Sequence, residues 1–141
     1  MLTKQLSIFL ENKRGRFTEV AKLLGEEGIN MTAFTVSENS DFGILRLIVT
    51  DNEKAIQVLR HYKFAVTEAD VIYLHCPNKP GALARVMDIL TRANIFIEYM
   101  YAFSEGESAN VVIRPDNLSL CLEVLKANQL ELLATSELYK L

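Results

Sequence analysis

Hydrophobic residues along the chain follow two rhythms. Leu6, Ile8 and Leu10 recur at every second position, the period of a half-buried strand. Phe17, Val20, Ala21 and Leu24 then fall at i, i+3, i+4 and i+7, the apolar stripe of a helix about three turns long. The spacing predicts a helix over 16–27, closed by Gly28 in the left-handed conformation. Two β-rich runs follow, Ile29–Ser37 and Phe42–Thr50, joined by the polar turn ENSDFG. A second helix is expected over 52–61 with Asp51 as its N-cap, and a further strand from near Phe64.

The same order then recurs: a strand at Val71–Cys76, a helix over 81–93 closed by Asn94, strands at Ile95–Phe103 and Ala109–Arg114, a helix over 117–127 and a strand over 130–139. Laying ENKRGRFTEVAKLLGEEGINM over PNKPGALARVMDILTRANIFI pairs Asn12 with Asn78, Lys13 with Lys79 and Gly15 with Gly81, at an offset of 66. Phe17, Val20, Ala21 and Leu24 then fall on Leu83, Val86, Met87 and Leu90. Further on, Thr50-Asp51-Asn52 matches Pro115-Asp116-Asn117 with the register shifted by one, and Val58-Leu59 returns to Val124-Leu125. A small difference in loop length between the copies is therefore expected.

The order βαββαβ, written twice without a Gly, Ser or Pro linker, predicts an α+β, ferredoxin-like fold in two tandem copies, 1–69 and 70–141. Each copy places two helices on one face of a four-stranded antiparallel sheet, and the segment Phe64–Cys76 passes from the last strand of one into the first of the next. Copies of about 70 residues are marginal alone, so the two are expected to pack side by side.

Composition narrows the classes. The 141 residues are 50% hydrophobic and 23% charged, which suits a globular chain with a core. The net charge of −3 gives no electrostatic footprint for nucleic acid. The apolar run Ile44–Val49, interrupted by Arg46, falls far short of the roughly 20 residues that cross a bilayer. No secretory signal opens the sequence, so the cytoplasm is the expected location. Cys76 and Cys121 lack partners at ligand spacing and are expected to be buried thiols; neither a metal nor a cofactor is implied.

The turn in HCPNKPGALARVMDIL leads from a strand end into a helix N-terminus, where backbone N–H groups and the macrodipole favour an anion. Gly81 lets a ligand approach the backbone, Pro80 needs no N–H donor, and Asn78 offers both a donor and an acceptor. These are the parts needed to hold a free amino acid. Turn propensity alone also accounts for Asn, Pro and Gly at such a junction.

This turn, the helix with Leu83, Val86 and Leu90, and GINM leading into the second strand resemble the ACT domain family over nearly the whole chain. The resemblance implies a regulatory module for amino-acid metabolic enzymes, with the ligand at the interface of two copies. The implied loop positions are Asn12, Lys13, Arg14, Gly15, Arg16 and Phe17 in the first copy, and Asn78, Lys79, Pro80, Gly81, Ala82 and Leu83 in the second. The polar residue entering the second strand is Asn30, followed by Met31. Arg14 replaces the usual proline, and Phe96 stands opposite Asn30 in the second copy, so two inequivalent sites are expected, the Asn78–Leu83 loop facing the Asn30 region being the fuller.

His75 adjoins the turn and is a further candidate contact, whereas His61 suits a helix C-terminus. Tyr99, Tyr101 and Phe103 share one strand face, which suits packing in a homodimer better than base stacking, given the acidic balance. No catalytic constellation emerges. The leading expectation is a non-catalytic amino-acid sensor acting on a partner enzyme in trans. A hydrolase of acylphosphatase type, kept open by Arg14 and Arg16, and a ligand-free structural adaptor are the alternatives.

Overall fold

The computed structural model describes residues 2–38, 42–128 and 131–132. Their elements run β1 (Leu2–Glu11), α1 (Arg16–Glu26), β2 (Met31–Glu38), β3 (Phe42–Val49), α2 (Asn52–His61), β4 (Ala65–Pro77), α3 (Ala82–Arg92), β5 (Ile97–Glu105), β6 (Ser108–Pro115), α4 (Leu118–Ala127) and β7 (Glu131–Leu132). The expected turn over 38–43 and most of the strand expected over 130–139 lie outside the described residues.

The described residues divide into two compact units, one of Lys4–Ala69 and one of residues from Asp70 on together with Leu2 and Thr3. Each has the βαββαβ order of a ferredoxin-like fold. In the first, β3 pairs antiparallel with β1 on one side and β2 on the other. In the second, β6 lies between β4 and β5, and β7 pairs with β4. The boundary falls inside β4, a single 13-residue strand.

The two rhythms of the sequence build a core in each unit. Leu6, Ile8 and Leu10 from β1, with Leu45 and Leu47 from β3, meet Val20 and Leu24 of α1 and Ala55 and Leu59 of α2. Ile72, Leu74 and Cys76, with Val111 and Ile113, meet Val86, Leu90, Cys121 and Leu125 in the same way. The helices of each unit therefore cover one face of its sheet.

The offset of 66 holds throughout. It relates α1 to α3, α2 to α4, and the irregularity at Met31/Ala33 to that at Ile97/Tyr99. The register shift expected near residue 50 is absent. Asp51 caps α2 by accepting from the Lys54 N–H, and its counterpart is Asn117, which caps α4 by accepting from the Leu120 N–H. Thr50 corresponds to Asp116: the Asn30 N–H donates to Thr50 Oγ1 at 3.0 Å, and the Phe96 N–H to Asp116 Oδ1 at 3.2 Å. Matching by identity slipped here because short acceptor side chains had exchanged with one another at fixed positions.

Candidate functional site

In each unit the first strand runs into its helix through a glycine in the left-handed region. Gly15 has φ 83° and ψ −1°, and Gly81 φ 85° and ψ −13°. A Cβ at either would meet nothing within 4 Å, so the backbone angle, rather than crowding, favours glycine. The two loops keep nearly the same conformation at this residue although Arg14 stands where the second has Pro80.

Neither glycine supplies a side-chain cap, whereas Asp51 and Asn117 cap α2 and α4. The first-turn N–H groups of α1 and α3 thus receive no side-chain cap from the N-cap residue, as an anion requires. The Ala82 N–H turns back to the Lys79 carbonyl at 3.1 Å, leaving those of Leu83 and Ala84 with no intrahelical acceptor.

The charges around the two loops differ. Lys13 Nζ lies 3.0 Å from the Glu11 carboxylate, and its hydrogen bond and charge, with the charge of Arg16, hold that exposed carboxyl below its ordinary range. Arg16 reaches Glu19 through Nη1 at 2.8 Å and lies 4.4 Å from the centre of the Phe64 ring. In the second unit the counterparts of Glu11, Arg16 and Glu19 are Pro77, Ala82 and Arg85. Lys79 consequently makes no ion pair among the described residues. Asn78 ties its loop to the β5–β6 turn: its N–H donates to the Glu107 carbonyl at 2.8 Å and its Nδ2 to the Gly106 carbonyl at 3.5 Å. Its Oδ1 has no donor among the described residues.

A cavity of about 280 Å³ opens beside the second loop, bordered by Asn78, Lys79, Leu83 and Phe103. One of about 410 Å³ lies at the first, bordered by Asn12 to Phe17 with Val36 of β2. Val36 and Phe103 were not read as site residues; both belong to the third strand of their sheet from the loop, and no local spacing connects them to it. Phe17 also meets Phe34 of β2, ring centres 5.7 Å apart.

Asn30, Met31 and His75 border neither of these two cavities. Asn30 and Met31 enter β2 opposite Val49, whereas the Asn12–Gly15 loop follows Glu11, opposite Phe42. Within the first unit they stand at opposite ends of β3. His75 alternates with the core residues Leu74 and Cys76, placing it on the sheet face away from the helices, where its Nδ1 is 3.0 Å from Asn110 Oδ1. It does not border the cavity beside the turn. Among the described residues no cluster of metal-ligating side chains occurs, and no helix is long and apolar enough to cross a membrane.

Two ferredoxin-like copies, each opening its first helix from a left-handed glycine, define a tandem small-domain protein. The chain belongs to the ACT domain pair family, whose model matches residues 1–141. The crystal structure of protein BT0572 from Bacteroides thetaiotaomicron is 55% identical, with a TM-score of 0.95 and coverage of 100% of this chain and 98% of that one. The regulatory subunit of aspartate kinase from Thermus thermophilus, in its ligand-free form, shares the fold at 13% identity and a TM-score of 0.67, over 90% of this chain and 94% of that one. The corresponding subunit from Thermus flavus does so at 14% and 0.63, over the same shares. Comparison with proteins of curated function gave no match.

Proposed function

We propose that this ACT domain pair is a non-catalytic sensor of a free amino acid, acting in trans on an enzyme of amino-acid metabolism. The observation that carries the reading is the second loop: an uncapped helix start, an unpaired Lys79 and an open Asn78 Oδ1 beside one cavity. Lys79 and the Leu83 and Ala84 N–H groups suit a carboxylate, and Asn78 Oδ1 suits an ammonium. The first loop is weaker because Glu11 already neutralises Lys13. Of the two arginines behind the hydrolase reading, Arg14 and Arg16, the second is already paired with Glu19 and lies over Phe64, which weakens that reading. In this reading the protein is a cytoplasmic homodimer, in line with the half-exposed Phe34 and Val36 on β2.

A thermal-shift and calorimetric screen of the twenty amino acids tests it. At least one should stabilise the protein, by about 2.7 kcal/mol at 100 times its Kd. Lys79→Ala should weaken that ligand about tenfold, the 1.4 kcal/mol scale of a single charge-assisted contact, while Lys13→Ala leaves it unchanged. No stabilisation by any amino acid would remove the sensor reading, and equal losses in both variants would remove the preference for the second loop.

A further inference from the structure

The first unit carries another cavity, of about 410 Å³, which shares Leu10, Glu11 and Arg16 with the loop cavity but not Asn12 to Gly15. Phe9, Phe42 and Ala65 give it an apolar wall, and Arg16 and Lys63 bring two cations to it. The two rings meet edge to face with centres 5.6 Å apart. At the offset of 66, Phe9, Arg16 and Phe42 become His75, Ala82 and Ser108. The cluster is therefore no remnant of the duplicated turn.

Lys63 is under-used, and Arg16 only partly engaged. Lys63 makes no ion pair among the described residues, and Arg16, although paired with Glu19 through Nη1 and lying over Phe64, keeps a buried Nε with no acceptor. Lys63 also holds φ at 70°, after the end of α2, where α1 is followed by Gly28 and α3 by Asn94. A lysine there accepts backbone strain that a glycine would relieve, and such strain collects where a side chain has work to do.

We infer that this cavity binds a small monocarboxylate with an apolar body, independently of the amino-acid reading of the second loop. The carboxylate sits between the Lys63 ammonium and the Arg16 N–H groups that Glu19 does not occupy, and the body lies on Phe9 and Phe42. Glu11 in the same wall is engaged by Lys13 and Arg16 is offset by Glu19, which leaves no free carboxylate for an ammonium and one uncompensated positive charge, that of Lys63, to meet a single negative one.

Calorimetric titration of the whole protein with 3-phenylpropionate tests this, with 3-phenylpropionamide and inorganic phosphate as controls. The acid should bind at least tenfold more tightly than either control. Lys63→Gly should weaken it at least tenfold while raising Tm, because the strain is relieved as the charge is lost; a fold defect would lower both. Lys79→Ala should leave it unchanged. Absence of binding, equal binding of the amide or of phosphate, unchanged affinity in Lys63→Gly, or loss in Lys79→Ala would each overturn the inference.

Discussion

Cys121 is wholly inaccessible in the core of the second unit, and burial, with the charge of Asp116, pushes its thiol up to about 11 from an ordinary 9.0. Burial also raises Cys76. Since the thiolate is the reacting form, the native protein should resist a disulfide reagent at pH 8, and two thiols per chain should react once it is unfolded. Rapid labelling of the native protein would contradict the packing. The same shift sets a pH dependence. Below pH 9 both states keep the proton; between about 9 and 11 the unfolded chain releases it and the folded chain does not, so stability falls as pH rises. Cys121→Ala should reduce the drop in urea midpoint between pH 8 and pH 10. Two isolated cysteines already implied buried thiols, but the influence of Asp116, five residues ahead of Cys121 and just before the α4 N-cap, depends on how the chain turns into that helix. Lys13 and Lys79 teach the same lesson at the turn. Their identity repeats, yet only the strand residue two positions earlier, Glu11 or Pro77, decides whether the ammonium is neutralised.

Helices α2 and α4 begin from capping side chains, and α1 and α3 from left-handed glycines, a division that assigns structure to one pair and an open N-terminus to the other. Asp51→Ala and Asn117→Ala should each cost about 1 kcal/mol, read as lower urea midpoints at unchanged slope. Gly81→Ala should cost about 1–2 kcal/mol for its positive φ alone, since no atom crowds the new methyl. A neutral Gly81→Ala would show that the loop takes another conformation in solution. Most helix bounds were legible to within one or two residues, because a 3.6-residue stripe ends abruptly at Gly28 or Asn94. Strands β2 and β5 start two residues later than their hydrophobic runs suggested. Ile29–Asn30 and Ile95–Phe96 are links instead, held where the Thr50 and Asp116 N–H groups donate to the Asn30 and Phe96 carbonyls at 3.2 and 2.9 Å. Such a link has the composition of a strand and lacks only the ladder, which no local pattern reveals.

The duplication was legible because glycine and asparagine turns are restrictive enough to survive divergence, and the continuity of β4 followed from the lack of a linker. Its energetic consequence belongs to the whole molecule. Phe64 and Val66, at the entry to β4, lie in the first core, while Ile72, Leu74 and Cys76 of the same strand lie in the second. No turn or glycine interrupts the strand between them. If one core opens, its half of β4 loses its pairing and the other half frays from that end, so the two cores should be lost together. Leu24→Ala and its counterpart Leu90→Ala, each removing a buried side chain from one core, should therefore cost about 2–5 kcal/mol apiece and preserve a single transition. Hydrogen exchange provides the local readout. In Leu24→Ala, protection should fall at Ile72–Leu74 as well as at Leu6–Ile8, and in Leu90→Ala the reverse. Loss confined to the mutated unit, with a second transition at the wild-type midpoint, would show that β4 joins the units in sequence without coupling their stabilities.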